Sequence, residues 1–428
     1  MESVNASTED AAREKKMEMN SNLNLNLKMK MKMKMNVDTD TDTATDTAAA
    51  THRDGDDTQV NTWDDMQLRD ELLRGIYAYG FEAPSPIQIK AIQPFLAGRD
   101  VIGQAQSGTG KTGAFSISVL QRVDLSMGTQ ALLLAPTHEL VMQIEDVMRK
   151  LGAFMPGLLV RSAVGGTAVS DDIVYIKTHA PQIIVGTPGR ICDLLHRHAI
   201  KYEDLTMIVM DEADELLSTG FRENVQSIFS FVSPSAQVAL FTATLPDDIV
   251  ALSRLLMRDP FRITMKPAEL NIEGIQHYYI KINNDYEKFN NIKDLFATCV
   301  VSQCIIYVNN INKVIELYRD LVAEDYPVSC IHSAMSKVER AREFQAFQRG
   351  TSRLLISSNI TARGIDIQHV GMVINYDIPF DVNTYLHRVG RGGRYGRKGI
   401  AINLLSKYDV VALTNIEKHY DIIMKPYA

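Results

Sequence analysis

Residues 101–120 read VIGQAQSGTGKTGAFSISVL, and their order decides the fold. Apolar Val101–Ile102 leads into a stretch of small residues, and Lys111–Thr112 open a helix-like run through Phe115, Ile117 and Leu120. A strand that passes through such a turn into a helix makes a cradle for phosphate, because the first N–H groups of a helix have no partner inside it. Within Ser107, Gly108, Thr109, Gly110, Lys111 and Thr112, the glycines let the backbone turn its N–H groups inward. Lys111 supplies a cation for β- and γ-phosphate oxygens, and the Thr112 hydroxyl can ligate magnesium. The general pattern has Gly where this chain has Ala105, so on this stretch alone a plain Gly/Ser turn between strand and helix stays open.

A second stretch narrows the choice. DEAD at 211–214 follows the apolar run Met207–Met210, so Asp211 and Glu212 project from the carboxyl end of a buried strand. Open α/β sheets place their ligands at that end. Adjacent acids there are costly without a cation to face. Asp211 is suited to hold magnesium and Glu212 to orient and deprotonate an attacking water. Together the two stretches read as a site that binds and hydrolyses a nucleoside triphosphate.

A chain of 428 residues with 45% hydrophobic content is expected to form two domains and a tail. No stretch approaches the apolar length of a membrane span, and the opening MESVNASTED lacks the basic-then-apolar order of a signal peptide. Cys192, Cys299, Cys304 and Cys330 show neither metal-ligand spacing nor a disulfide framework, and read as reduced thiols of a cytosolic or nuclear protein. A net charge of −7 argues against coating nucleic acid non-specifically but allows a local basic cleft.

Residues 1–62 form a low-complexity tail, with Asn and Leu alternating from Asn22, Lys and Met from Lys28 to Met35, and Asp and Thr from Asp38. The period of two mimics a strand but has no partner face to bury, so disorder is expected. The Lys-Met run could attract RNA or an import receptor, though a solvated tail is the simpler reading. From Trp63, buried-strand candidates alternate with helical patterns: Ala131–Ala135, Ile183–Val185, Met207–Met210 and Val238–Phe241. That rhythm gives a parallel sheet covered on both faces over residues 63–265. KPAELNIEG at 266–274 reads as a short linker. The rhythm restarts over 275–428 at Cys304–Val308, Val328–Ile331, Arg353–Ser357, Met372–Asn375 and Ala401–Leu405, with no second phosphate loop. A ligand is expected in the cleft between two such domains.

HRVGRGGRYGR at 387–397 gathers Arg388, Arg391, Arg394 and Arg397. Read as a helix start, arginines at spacing three share one face, and planar, permanently charged groups suit a transferring phosphate. An arginine finger reaching across a cleft competes here with a solvated basic surface or plain contact with an RNA backbone. ARGID at 362–366 adds Arg363 and Asp366.

With these motifs in this order, from Trp63 to about Tyr420, the chain resembles the DEAD-box ATP-dependent RNA helicases of superfamily two. Within them it is most similar to the group of translation initiation factor 4A and its exon-junction paralogue. The resemblance implies two RecA-like parallel-sheet domains, and accepts Ala105 in the phosphate loop. It implies that Phe81 stacks on adenine and that Gln88, in PSPIQ at 84–88, reads it. It places Arg363 near the γ-phosphate and Asp366 on the ribose, makes Arg391 and Arg394 the fingers, and has His387 couple them to DEAD. RNA-backbone contacts fall on Pro136, Thr137 and His138 in APTHEL, Gly165 and Gly166, and Thr187, Pro188, Gly189 and Arg190 in TPGR. The second domain adds Asn309, Arg340 and Ser358. TAT at 242–244 links hydrolysis to unwinding.

The implied mechanism is an ATP-driven, Mg2+-dependent clamp on single-stranded RNA with little sequence preference, acting through phosphates and 2′-hydroxyls. A monomer with initiation-factor or exon-junction type protein partners, away from membranes, is the matching expectation. The departures are informative. His138 stands where the family has Arg, Lys337 where it has Gln, Ser358–Asn359 where a Thr-Asp pair is usual, Thr242 for Ser and Asn310 for Thr. Nucleotide motifs are intact and the changes fall mostly on RNA-side motifs. Two readings follow: an RNA-stimulated ATPase that remodels short duplexes or ribonucleoprotein, and an ATP-gated RNA-binding scaffold with little unwinding. A DNA helicase is disfavoured by the DEAD form of the motif.

Overall fold

The apolar runs are the spine of the molecule because they are buried on both faces, as parallel strands between two helical layers must be. The computed structural model describes residues 61–427 apart from 107, 218–219, 265–274, 299–302, 359–369 and 392–398. The expected linker and all but the last two residues of the expected tail therefore lie outside the described residues.

The first sheet holds β1 (Val101–Gln104), β2 (Ala131–Leu134), β3 (Val160–Ala163), β4 (Ile183–Gly186), β5 (Met207–Asp211), β6 (Gln237–Thr242) and β7 (Phe261–Thr264), in the order β3-β4-β2-β5-β6-β1-β7. The second holds β8 (Ile275–Lys281), β9 (Gln303–Tyr307), β10 (Val328–Ile331), β11 (Leu354–Ser357), β12 (Val370–Asn375), β13 (Gly399–Leu405) and β14 (Lys425–Pro426), in the order β10-β11-β9-β12-β13-β8-β14. Counted from its own first strand, the second order repeats the first. All the paired strands are parallel. The fold is thus α/β, two RecA-like parallel-sheet halves.

Alternation along each strand feeds two cores. Leu133 and Val209 point to one helical layer with Phe115, Ile144 and Trp63, while Leu132, Ile208 and Met210 point to the other with Leu195 and Ile228. Burying each of these side chains contributes about 1.5–3 kcal/mol. Helices start where side chains meet bare N–H groups. Thr137 Oγ1 accepts from Leu140 N at 3.3 Å, Asp381 Oδ2 from Thr384 N at 2.8 Å, and Ser336 forms a capping box with Glu339. Cys192, Cys304 and Cys330 are buried thiols. No helix among the described residues is long and apolar enough to cross a membrane.

The two halves touch. Ala243 packs on Leu386, and Arg340 Nη1 lies 3.3 Å from Glu139 Oε1. One expectation is corrected for residues 387–391, the described part of the arginine-rich segment: they close a helix rather than begin one. The helix Val382–Val389 ends there, with Gly390 as its C-cap, so Arg388 lies in a last turn that packs inward.

Candidate functional site

Three loops converge at the carboxyl ends of neighbouring strands β5, β6 and β1. The loop after β1 is tied down by Ala105 N donating to Thr242 O at 3.0 Å and by Thr109 Oγ1 donating to Gln106 O at 2.7 Å. Gly110 adopts φ 105 and N-caps the helix Lys111–Arg122. A Cβ there would lie 2.6 Å from Ser85 Oγ, so both space and backbone demand glycine. Lys111 is buried and its Nζ donates back to Ala105 O at 2.7 Å, across the loop. Gln106 Nε2 is buried without a hydrogen-bond partner among the described residues. Ser107 lies outside them.

Asp211 ends β5 and Glu212 turns at φ 51, a left-handed conformation that costs a non-glycine residue of order 1–3 kcal/mol. Its N–H donates to Asp211 Oδ1 at 3.0 Å, and its own Oε2 is buried without a hydrogen-bond partner among the described residues. Burial, then the charge of Glu212, pushes the Asp211 carboxyl up to about 7, against the pull of Lys111. A buried acid short of positive charge, an orphaned carboxylate oxygen, an orphaned amide and a positive-φ cradle fit a polyphosphate with a hard divalent cation.

Asp214 joins the halves. Its Oδ2 accepts from Thr244 Oγ1 at 2.6 Å and lies 3.2 Å from Nε2 of the buried His387, whose Nδ1 is 3.9 Å from Glu212 Oε2. The DEAD and TAT segments and the arginine-rich segment therefore share one buried polar cluster. The sequence reading credited His387 with this coupling but missed Asp214, the fourth letter of its own motif.

Phe81 stacks on Trp63 with centroids 6.1 Å apart and planes 18° apart, and its carbonyl accepts from Trp63 Nε1 at 3.1 Å. Trp63 thus anchors the aromatic platform. Gln88 Oε1 accepts from Ser85 N at 2.7 Å while its Nε2 donates to Gly110 O at 3.2 Å, so it ties this region to the phosphate loop.

On the other side, Pro136, His138, Gly165, Thr187, Gly189 and Arg190 line one cleft of about 390 Å³. The helices His138–Leu151 and Pro188–His196 begin at it, so two helix N-termini bring donor N–H groups to one place. Gly166 turns beside it at φ 83.

Other expected residues are occupied internally. Arg190 donates to Asp172, to Thr167 Oγ1 at 3.1 Å and to Thr167 O at 2.7 Å. Asn309 donates from Nδ2 to Ile378 O at 2.8 Å and accepts from Arg388 at Oδ1. Arg340 is held by Glu139, and Ser358 N donates to Ile331 O at 3.2 Å. Arg391 is fully buried, its Nε donating to His387 O at 3.2 Å. Arg388, grouped by the sequence reading with the phosphate-facing arginines, is instead a core residue. Its guanidinium donates to Asn375 Oδ1 at 3.1 Å and Asp377 O at 2.8 Å, and burial pulls it down to about 10. Arg363, Asp366, Arg394 and Arg397 lie outside the described residues.

The chain matches the DEAD/DEAH box helicase family over residues 85–252 and the helicase conserved C-terminal domain over residues 287–396. It is 47% identical over 365 residues to the ATP-dependent RNA helicase eIF4A of Chaetomium globosum, covering 85% of this chain and 91% of that one. It superposes on S. cerevisiae Dbp5 bound to RNA and ADP BeF3 with a TM-score of 0.79 at 35% identity, covering 86% of this chain and 95% of that one. For a variant of S. cerevisiae Dbp5 bound to Nup159, Gle1, IP6 and ADP the TM-score is 0.62 at 33% identity, with 84% and 95% covered. An ATP hydrolase with both halves of the family's architecture, the chain belongs to the DEAD-box ATP-dependent RNA helicases.

Proposed function

We propose that this chain grips single-stranded RNA and burns ATP as one coupled event, acting in translation initiation or mRNA metabolism as its eIF4A relatives' name suggests. The observation that carries this reading is Asp214, which accepts from Thr244 within the first half and meets His387 of the second. The packing of Ala243 on Leu386 and the Arg340–Glu139 ion pair support a closed arrangement of the halves.

In this reading Lys111 and the loop N–H groups hold the phosphates, Phe81 packs the adenine and Gln88 braces its pocket. Thr112 and Asp211 would hold Mg2+, which when bound neutralises phosphate charge and takes up the Asp211 carboxylate. Glu212 accepts a proton from the attacking water, and its buried oxygen, free of competing bonds among the described residues, keeps that acceptor available. Arg391 and Arg394 stabilise charge developing on the transferring phosphoryl, and Arg363 and Asp366 complete the nucleotide contacts. The RNA backbone runs over the cleft at Pro136–His138, Gly165–Gly166 and Thr187–Arg190, and continues on the second half at Asn309, Arg340 and Ser358. Residues 63–265 and 275–428 act as the two moving domains, joined by 266–274 and preceded by the tail 1–62. The working unit is a monomer with partner proteins, in cytoplasm or nucleus.

A second reading, an ATP-gated RNA scaffold with little unwinding, draws on the internal engagement of Asn309 and Arg340. Steady-state hydrolysis with unwinding of a short tailed duplex decides between them. RNA-stimulated turnover with strand separation supports the remodelling enzyme, whereas ATP-dependent retention of RNA without separation supports the scaffold. Turnover indifferent to RNA would refute both.

A further inference from the structure

Resting on the reading that the first-half cleft holds RNA backbone, we infer that Arg190 is a positioning residue rather than a phosphate ligand, and that Asp172 is a determinant of RNA affinity. Arg190 lines the cleft but is 8% exposed, and both terminal nitrogens of its guanidinium are committed. One donates to Asp172 Oδ2 and Thr167 Oγ1, the other to Thr167 O. Asp172, 3% exposed on the helix Val169–His179, is the hub. Its second oxygen accepts from Arg161 Nη2 at 2.9 Å, and Arg161 lies over the Tyr175 ring at 4.4 Å.

The clamp spans the elements that shape the cleft. Thr167 follows the Gly165–Gly166 turn, and its hydroxyl donates to Val164 O at 3.1 Å. Arg190 lies in the first turn of the helix Pro188–His196. Through Arg190, the turn and the helix N-terminus are held in one register, so that their N–H groups face the same backbone. A guanidinium with planar, forked geometry suits such a brace, since it bonds a carboxylate and a peptide oxygen at once. A guanidinium whose two terminal nitrogens are committed to a carboxylate, a hydroxyl and a peptide oxygen has little left to offer a phosphate, so the affinity it confers is geometric.

Salt dependence separates the two roles. For single strands, each lysine or arginine that neutralises a phosphate contributes about 0.7 to the slope of log affinity against log salt. Binding of the full chain to a single-stranded RNA oligonucleotide, with a non-hydrolysable ATP analogue present, is measured by fluorescence anisotropy over a salt series. Arg190→Gln and Asp172→Asn are expected to weaken binding roughly tenfold with the parental slope, and Asp172→Glu to recover most of the loss. Should the buried variants fail to fold, the exposed Thr167→Val removes one clamp partner and is expected to weaken binding a few-fold, again with unchanged slope. A slope lower by about 0.7 in Arg190→Gln, or unaltered affinity in Asp172→Asn or Thr167→Val, would overturn the inference. His138→Arg serves as the control on the underlying reading. If it leaves slope and affinity untouched, the cleft does not hold RNA, and the inference falls with it. If it raises the slope while Arg190→Gln lowers it, only the inference falls.

Discussion

The two halves share a strand order and treat the same positions in opposite ways. Where β5 ends on Asp211 and runs on to Glu212, the topologically matching β12 ends on Asn375 and runs on to Asp377. In the first half the acids are left in need: Asp211 is pushed up to about 7 and Glu212 Oε2 is buried without a hydrogen-bond partner among the described residues. In the second half the acid is satisfied. Asp377 accepts from Lys288 Nζ at 2.9 Å and from Asn309 N at 3.0 Å, while Asn375 Nδ2 donates to Asn403 Oδ1 at 2.8 Å. After β1 comes a phosphate-loop sequence, but after β8 the chain turns through Asn284, whose Oδ1 accepts from Glu287 N at 2.9 Å, into a helix. One scaffold thus holds an electrostatically hungry site and a self-contained brace. Buried polar groups are usually paired, so the exceptions mark where a ligand completes the structure.

The contrast can be broken most forcefully at Lys111. Lys111→Ala removes the cation whose charge acts on Asp211 and which is proposed to hold the phosphates, and nucleotide binding should fall by at least about a hundredfold in a fluorescent-ATP titration. Retained affinity would mean the first half does not need its cation. Glu212→Gln should lower turnover by about a hundredfold or more while ATP and RNA still bind, because only the proposed acceptor for the water proton is lost. Turnover at the parental rate would remove Glu212 from that role. His387→Ala should cut stimulation of hydrolysis by RNA about tenfold with a smaller change in the unstimulated rate, since the link to Asp214 is severed. His138→Arg carries the smallest effect, a few-fold gain in RNA affinity with a salt slope steeper by about 0.7.

Much of this was legible in the chain. Strands buried on both faces announce themselves as apolar runs, and Ala131–Leu134, Met207–Met210 and Cys304–Tyr307 were readable for that reason. Four strands at or near the sheet edges were not, although the edge strand β10 was. β3, β7 and β8 are partly exposed, and β14 has only two residues, so their patterns blur into loop composition. Site motifs were visible because phosphate chemistry needs particular residues in a fixed local order. What the order cannot say is which partners each buried neighbour takes. Arg388 and Arg391 look alike in HRVGRGGR, yet Arg388 is spent on Asn309, Asn375 and Asp377. Asp172 belongs to no motif and was invisible until Arg190 and Thr167 were seen to converge on the same turn.

The contrast between the halves is tested most directly by paired chemical denaturation of Glu212→Gln and Asp377→Asn in the absence of nucleotide. Glu212→Gln should leave stability unchanged or raise it by up to about 1 kcal/mol, because a buried charge without a hydrogen-bond partner is removed. Asp377→Asn should cost about 3–5 kcal/mol, because Lys288 loses the carboxylate it was buried against. Equal losses in both, or a larger loss in Glu212→Gln, would contradict the account.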